Sequence, residues 1–401
     1  MKFGIIKERK NPPDRRVALS PQACTEVLKQ FPEATIKVEP SVIRVYKDEA
    51  YQEVGIEVST AMADCDVLLG IKEVPVDTLI PDKTYFFFSH TIKKQPYNRA
   101  LLQAVLEKNI TLYDYELIAR PNGERLVAFG RYAGIVGAYN GLRAYGLRFN
   151  GFELPKAETL PDQQALIAAL RVIQLSDMKI LLTGTGRVGN GAKEMLDAMD
   201  IKQVDVEAYL QQEFREPVYC QIDALDYNKR KDGKQYDIKD FYANAEAYVP
   251  DFFRFAKVSD LFIAGHFYGD GAPFLFTGEE AKDPEFNIKV VADISCDING
   301  PVASTIRAST IEDPLYGYDP QTGTEVAFNA ENAITVMAVD NLPCELPKDA
   351  SDSFGAMFVQ HIIPAFFNGD ASGILERACM ARDGKLTGRY SYLQDYVDGR
   401  E

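Results

Sequence analysis

Tryptophan is absent from this chain of 401 residues, and histidine occurs three times, as His90, His266 and His361. The first absence removes a fluorescence probe of binding. The scarcity of the second makes each imidazole informative. Six cysteines (Cys24, Cys65, Cys220, Cys296, Cys344, Cys379) are scattered with no C-x-x-C pair. That spacing speaks against a metal site and for reduced thiols in a cytosolic protein. No apolar run approaches the roughly 18 residues of a membrane span. The opening "MKFGIIKERK" lacks the long apolar segment and small-residue cleavage site of a secretory signal, so a cytoplasmic location is expected. Positive charge is also scarce: the formal net charge is −15. Nucleic acid and anionic membrane are therefore excluded as partners, since both need a basic face. What remains is a small-molecule ligand and a monomer or small homo-oligomer.

What is present has the length for two domains. The first third alternates strand-like and helix-like pieces: Phe3 to Ile6, a helix over Pro21 to Gln30, Ile36 to Val38, Val67 to Ile71, Tyr85 to Phe88, a helix in "PYNRALLQAVLEKN", and Ile110 to Tyr113. This alternation predicts an α/β layer with a mostly parallel sheet. "AFGRYAGIVGAYNGLRAYGLRF" repeats small and apolar residues at helical spacing and reads as a long, closely packed connecting helix. A second α/β unit opens at Lys179, with further strands in "PVYCQID", "SDLFIAG" and "KVVADIS". The polar stretch "YNKRKDGKQYDIKDFYANAEAY" between them reads as surface decoration. Near the end, Asp349 or Ser351 is expected to cap an amphipathic helix, which carries His361 as a structural residue.

Two local patterns carry chemistry. "KILLTGTGRVGNGA" places Gly184-Thr185-Gly186-Arg187-Val188-Gly189 between a strand and a helix, which is the dinucleotide fingerprint in its proper context. Gly184 permits the tight turn, Gly186 admits a pyrophosphate, and Gly189 lets the helix pack on the strand. Asp205 and Glu207 lie at the distance expected for the acid that holds a ribose, with Asp223 as a rival. No arginine adjoins Asp205, which favours NAD over NADP. The second pattern is "VLLGIKEVPVDTLIPDKTYFFFSHTIKKQ", in which two apolar strands end at Lys72 and His90. Parallel strands gather their ends at one sheet edge, where such folds bind ligands. A lysine there serves as a base if burial or neighbouring cations lower its pKa, and a histidine exchanges protons near neutrality. Five cations (Lys7, Arg9, Lys10, Arg15, Arg16) crowd the first 16 residues, either as a solvated run or as an anion site.

These motifs resemble the NAD-dependent, lysine-forming saccharopine dehydrogenases, relatives of alanine dehydrogenase and the transhydrogenase α-subunit. The resemblance runs through "KERKNPPDRRVALSP", "LLGIKEVP", "FFFSHTIKK", "TLYDYELI", "NGERLVAFGRYAG", "TGTGRVGNGA", "VVADISCD" and "ITVMAVDNLPCELPKDAS". It implies an α/β protein of two Rossmann-like domains with parallel sheets. The dinucleotide-binding domain (136–335) is inserted into a discontinuous substrate domain (1–135 plus 336–401), with the active site in the interdomain cleft. It implies the reversible conversion of saccharopine, NAD and water to L-lysine, 2-oxoglutarate and NADH. Lys72 and His90 become the acid–base pair. Arg16 and Arg125 grip carboxylates, Lys10, Glu73, Lys93 and Glu116 line the same cleft, and Asp297 lies near the cofactor. The alternatives are alanine-dehydrogenase-like deamination of a small amino acid and a non-catalytic transhydrogenase-like subunit. Two features depart from the family pattern: Arg131 within "AFGRYAG", and a long segment from Asp205 to Val258.

Overall fold

The computed structural model describes residues 1–269 and 271–400. These form two compact units, one built from Met1–Phe129 with Pro347–Glu401 and the other from Gly130–Leu346.

In the first unit, six short parallel strands form the centre of a sheet. They are β1 (Lys2–Ile5), β2 (Thr35–Val38), β3 (Glu57–Val58), β4 (Val67–Leu69), β5 (Thr84–Phe87) and β6 (Thr111–Asp114). Their spatial order is β6-β5-β4-β1-β2-β3. The chain thus reverses direction across the sheet between β1 and β4, and a crevice opens there at the strand C-termini. β1, β4 and β5 are almost wholly buried, as strands covered on both faces must be.

The second unit repeats the plan. Its parallel strands are β7 (Lys179–Thr183), β8 (Lys202–Gln203), β9 (Val218–Ile222), β12 (Leu261–Ala264) and β13 (Val290–Asp293), joined by β16 (Ile334–Met337). β14 (Leu315–Asp319) and β15 (Thr324–Val326) extend the β16 edge antiparallel, while β10 (Asn228–Arg230) and β11 (Tyr248–Pro250) form a separate hairpin. β16 pairs with β13 inside this sheet, so the unit extends to Leu346 rather than ending at residue 335.

The glycine-rich stretch is a helix over Gly130–Phe149. Its small residues let it lie directly on the helix Arg187–Ala198: a Cβ at Gly134 would stand 1.9 Å from the Val188 carbonyl oxygen. Arg131 ties the same two helices, pairing through Nε and Nη2 with both carboxylate oxygens of Glu194 at 2.8 and 2.6 Å.

The polar stretch 227–248 is not surface decoration. Tyr227, Phe241 and Tyr248 insert their rings into the unit's core, so its polar residues are the outer face of a packed subdomain.

The chain then returns to the first unit with the helix Pro347–His361 and a hairpin, β17 (Cys379–Arg382) and β18 (Lys385–Leu386), which pairs antiparallel on β6. The helix starts at Pro347, upstream of the expected caps. Proline suits a first helical position because its missing N–H has no partner to lose there. Ser351 instead bonds back to the Pro347 carbonyl and accepts the Val17 N–H. Phe354 and Phe358 of this helix join Phe86, Phe88, Tyr115 and Phe129 in one aromatic cluster.

Candidate active site

At the crevice of the first unit, the turns after β1 and β4 meet. Glu8 follows β1 and accepts the backbone N–H groups of Ile71 and Lys72 at 2.7 and 2.9 Å. One carboxylate thereby fixes the backbone from which the Lys72 side chain departs. Glu73 takes two donors: His90 Nδ1 lies 2.6 Å from Oε1, and Lys10 Nζ lies 2.7 Å from Oε2. Burial alone would raise the Glu73 carboxyl, but these two hydrogen bonds hold it down at about 2. His90 is set by a left-handed backbone (φ 53°), a region histidine enters more readily than bulky residues do, and its ring stacks parallel to Phe88. Below it, Ser89 donates from its N–H and its hydroxyl to Asp114 at the end of β6.

The structure therefore brings Lys72, Glu73, His90 and Lys10 to one edge. Glu116 joins them, with one oxygen 3.3 Å from Arg125 and the other, Oε2, buried and without a hydrogen-bond partner. Lys93 stays exposed on a short turn after His90. The Arg16 side chain is 3% exposed, its guanidinium grips Asp14 through Nε and Nη2, and it lies 4.2 Å from the Phe129 ring centroid. Arg125, at 47% exposure, is far more open to solvent.

The N-terminal cations are mostly matched to acids: Arg9 to Glu39, Lys10 to Glu73, Arg16 to Asp14. Glu8 and Asp14, which were not singled out, carry opposite perturbations. Burial and the Asp14 charge push Glu8 up to about 8. Asp14 sits at about 2, because the Arg16 charge and hydrogen bonds outweigh burial. Both residues were hidden in a stretch that reads as cationic.

In the second unit, the crevice lies between β7 and β12, whose ends align Thr183 with Ala264. Gly184 has φ +94°, and a Cβ on it would strike the Gly265 carbonyl oxygen at 2.5 Å. A Cβ on Gly189 would stand 1.9 Å from the Gly184 carbonyl. At Gly186, by contrast, a Cβ would meet nothing within 4 Å. Open space therefore lies over the backbone that begins the Arg187–Ala198 helix, where free N–H groups and the dipole favour phosphate. A cavity of about 340 Å³ holds this turn, including Arg187 and Val188, together with Asp223, Tyr242, His266 and Phe267.

Asp223 follows β9, inside that cavity. Asp205 is spent as a helix cap, accepting the Ala208 N–H at 2.8 Å, and Glu207 lies in the helix it caps. Asp297 belongs to the loop after β13 and is not among the described residues lining the cavity. His266 lines it. Its Nδ1 is 2.8 Å from the Thr183 hydroxyl, and burial lowers its pKa to about 4, so the ring is neutral. A dinucleotide fits these residues: an unobstructed glycine backbone, a helix start and a carboxylate at the next strand end.

Comparison with known proteins agrees with this architecture. Residues 4–136 match the family described as "Alanine dehydrogenase/PNT, N-terminal domain". An alpha-aminoadipic semialdehyde synthase from Arabidopsis thaliana is 30% identical, over 97% of this chain and 41% of that protein. The chain thus spans less than half the length of that relative. A saccharopine dehydrogenase [NAD(+), L-lysine-forming] from Neurospora crassa is 24% identical over 85% of each chain. Among solved structures, an L-alanine dehydrogenase superposes with a TM-score of 0.68 at 18% identity, covering all of both chains. No helix among the described residues is long and apolar enough to cross a membrane.

Proposed function

We propose that the chain, similar over residues 4–136 to the alanine dehydrogenase/PNT N-terminal domain and over most of its length to a saccharopine dehydrogenase, is a nicotinamide-dinucleotide-dependent dehydrogenase acting on a C–N bond. The reaction we assign is reversible: saccharopine, NAD and water give L-lysine, 2-oxoglutarate, NADH and a proton. The observation that carries this reading is the grouping of Lys72, Glu73 and His90 at the β4–β5 strand ends beside the Glu8 and Lys10 turn.

The roles follow from the donor set. Lys72, its backbone anchored by Glu8, takes the proton from the secondary amine nitrogen. When bound, the dinucleotide supplies the hydride acceptor for the adjacent carbon. Water then adds to the imine carbon while His90, oriented by Glu73, takes its proton and returns one to the departing amine. The C–N bond breaks as the C=O bond of 2-oxoglutarate forms. Arg125, exposed and 3.3 Å from Glu116, provides a cation for a substrate carboxylate, and the second oxygen of Glu116 provides a buried acceptor beside it. Arg16, committed to Asp14, is better suited to shaping the wall than to binding substrate. For the cofactor we favour NAD: Asp223 lines the cavity of the glycine turn, and a carboxylate beside a ribose would repel the extra phosphate of NADP.

The test is NADH oxidation with lysine plus 2-oxoglutarate, run beside pyruvate plus ammonia and repeated with NADPH. Turnover is expected with the first pair only. Lys72→Met and His90→Gln are each expected to lower kcat by about 10²–10⁴, the usual worth of a positioned proton-transfer group, with NADH affinity retained. Ordinary activity in Lys72→Met defeats the catalytic assignment. Activity on pyruvate and ammonia alone replaces the substrate.

A further inference from the structure

The aspartate of "TLYDYELI" has no role in the reaction above, yet it joins two turns that do. Asp114 ends β6, is 0% exposed, and engages both carboxylate oxygens. Oδ2 accepts the Ser89 N–H at 3.0 Å and the Ser89 hydroxyl. Oδ1 accepts the Glu116 N–H at 2.8 Å. Because His90 follows Ser89 directly, one oxygen is committed to the His90 turn and the other to the Glu116 turn.

The His90 turn is held from its other side as well. Thr91 donates its N–H to Ser89 Oγ at 3.3 Å, and its hydroxyl lies 2.7 Å from that oxygen and 3.2 Å from Met380 Sδ. Met380 sits on β17 where the pairing with β6 shifts register, between Cys379 opposite Tyr113 and Ala381 opposite Leu112. Such an irregularity re-aims a side chain out of the ladder. Ser89 and Thr91 are both fully buried, so the two neighbours of His90 are fixed while its own backbone stays left-handed (φ 53°). A side chain persists in that region only where its surroundings over-determine it. Burial pushes Asp114 up to about 6, against the hydrogen bonds it receives. A carboxyl is costly to bury unless its oxygens are matched, and here the matching donors belong to two site-bearing turns.

We propose that Asp114 is a positioning residue, a buried bridge that holds His90 and Glu116 in register with each other. The inference rests on the dehydrogenase reading and gives the two arms separable effects. The Ser89 arm sets the imidazole and hence turnover. The Glu116 arm sets the buried acceptor, which suits an ammonium of lysine, and hence substrate affinity.

Ser89→Ala and Asp114→Asn in the full chain are followed by steady-state kinetics with lysine, 2-oxoglutarate and NADH. Long-range 1H–15N spectra of the imidazoles provide a second readout, simple in a chain with three histidines. Ser89→Ala removes the hydroxyl arm alone, and is expected to lower kcat about 10-fold or more while the KM for lysine holds. The His90 signals are expected to shift, and those of His266 and His361 to stay. Asp114→Asn cannot accept on both sides, so it is expected to lower kcat and to raise the KM for lysine about 10-fold as well. If both variants lose stability in urea but keep parental kcat, KM and imidazole signals, Asp114 is structural; the bridge is overturned and the reaction stands. If the parent shows no turnover with lysine and 2-oxoglutarate, yet Ser89→Ala still moves the His90 signals alone, the bridge stands and the reaction falls.

Discussion

Glu73 holds an imidazole and an ammonium with one carboxylate, and Glu8 holds two backbone N–H groups with another, yet their protonation differs. Glu73 takes hydrogen bonds from His90 and Lys10 that favour its charged form over the effect of burial. Burial first, and then the Asp14 charge, raise Glu8 to about 8, and its two neutral N–H donors offset this only in part. The consequence for stability has a definite sign. Between the ordinary carboxylate range and about 8, folded Glu8 keeps a proton that the unfolded chain has lost. The folded state binds more protons in that window, so stability falls as pH rises through it. Glu8→Gln is expected to flatten this part of the profile, measured by urea denaturation at several pH values from 5 to 8. An unchanged slope would show that Glu8 is ionised throughout. The same two hydrogen bonds that order Lys72 make Glu8 a residue of the site, although nothing in "KERK" distinguishes it from a charge run.

At the scale of elements, the contact between the Gly130–Phe149 helix and the Arg187–Ala198 helix decides whether the glycine turn is held in place. A Cβ on Gly134 would meet backbone atoms, the Val188 oxygen at 1.9 Å and the Ala192 nitrogen at 2.7 Å, and backbone does not move aside as a side chain end does. Gly134→Ala is therefore expected to force the helices apart at a cost of roughly 1–3 kcal/mol. Because Val188 belongs to the turn itself, NADH affinity should fall in the same variant. Gly151→Ala, where a Cβ meets nothing within 4 Å, is the control and should leave both unchanged. Denaturant titration and calorimetry read the two effects. Equal stability of the Gly134 variant and its parent would mean that the helices are less closely packed than this.

For the whole molecule, the relevant fact is where chain continuity and structural units disagree. The unit from Gly130 to Leu346 is continuous, with its sheet and core complete. The other unit is assembled from both ends of the chain: β17 pairs on β6, and Phe86 packs against Phe358. A fragment of residues 130–346 is expected to unfold cooperatively and to show dispersed amide resonances. Residues 1–129 alone should not do so until 347–401 is added, because the exposed β6 edge and half an aromatic cluster cannot close. Independent folding of 1–129 would show that the C-terminal helix is an accessory.

The sequence by itself determined the strands, the glycine turn and the residue types at the strand ends, because apolar runs, glycines and titratable side chains act through local pattern and backbone geometry. It also carried the family resemblance through motifs whose spacing is covalent. Only the tertiary structure decided which charges meet. Arg16 closes on Asp14, Lys10 and His90 share Glu73, and Asp205 becomes a cap while Asp223 lines the cavity around the glycine turn. The 205–258 segment shows the same divide: its polar composition is visible in one dimension, but the burial of Tyr227, Phe241 and Tyr248 depends on surfaces supplied by β9 and β12. Pairing energies and burial fall off over a few ångströms in space, and no pattern along the chain encodes those distances.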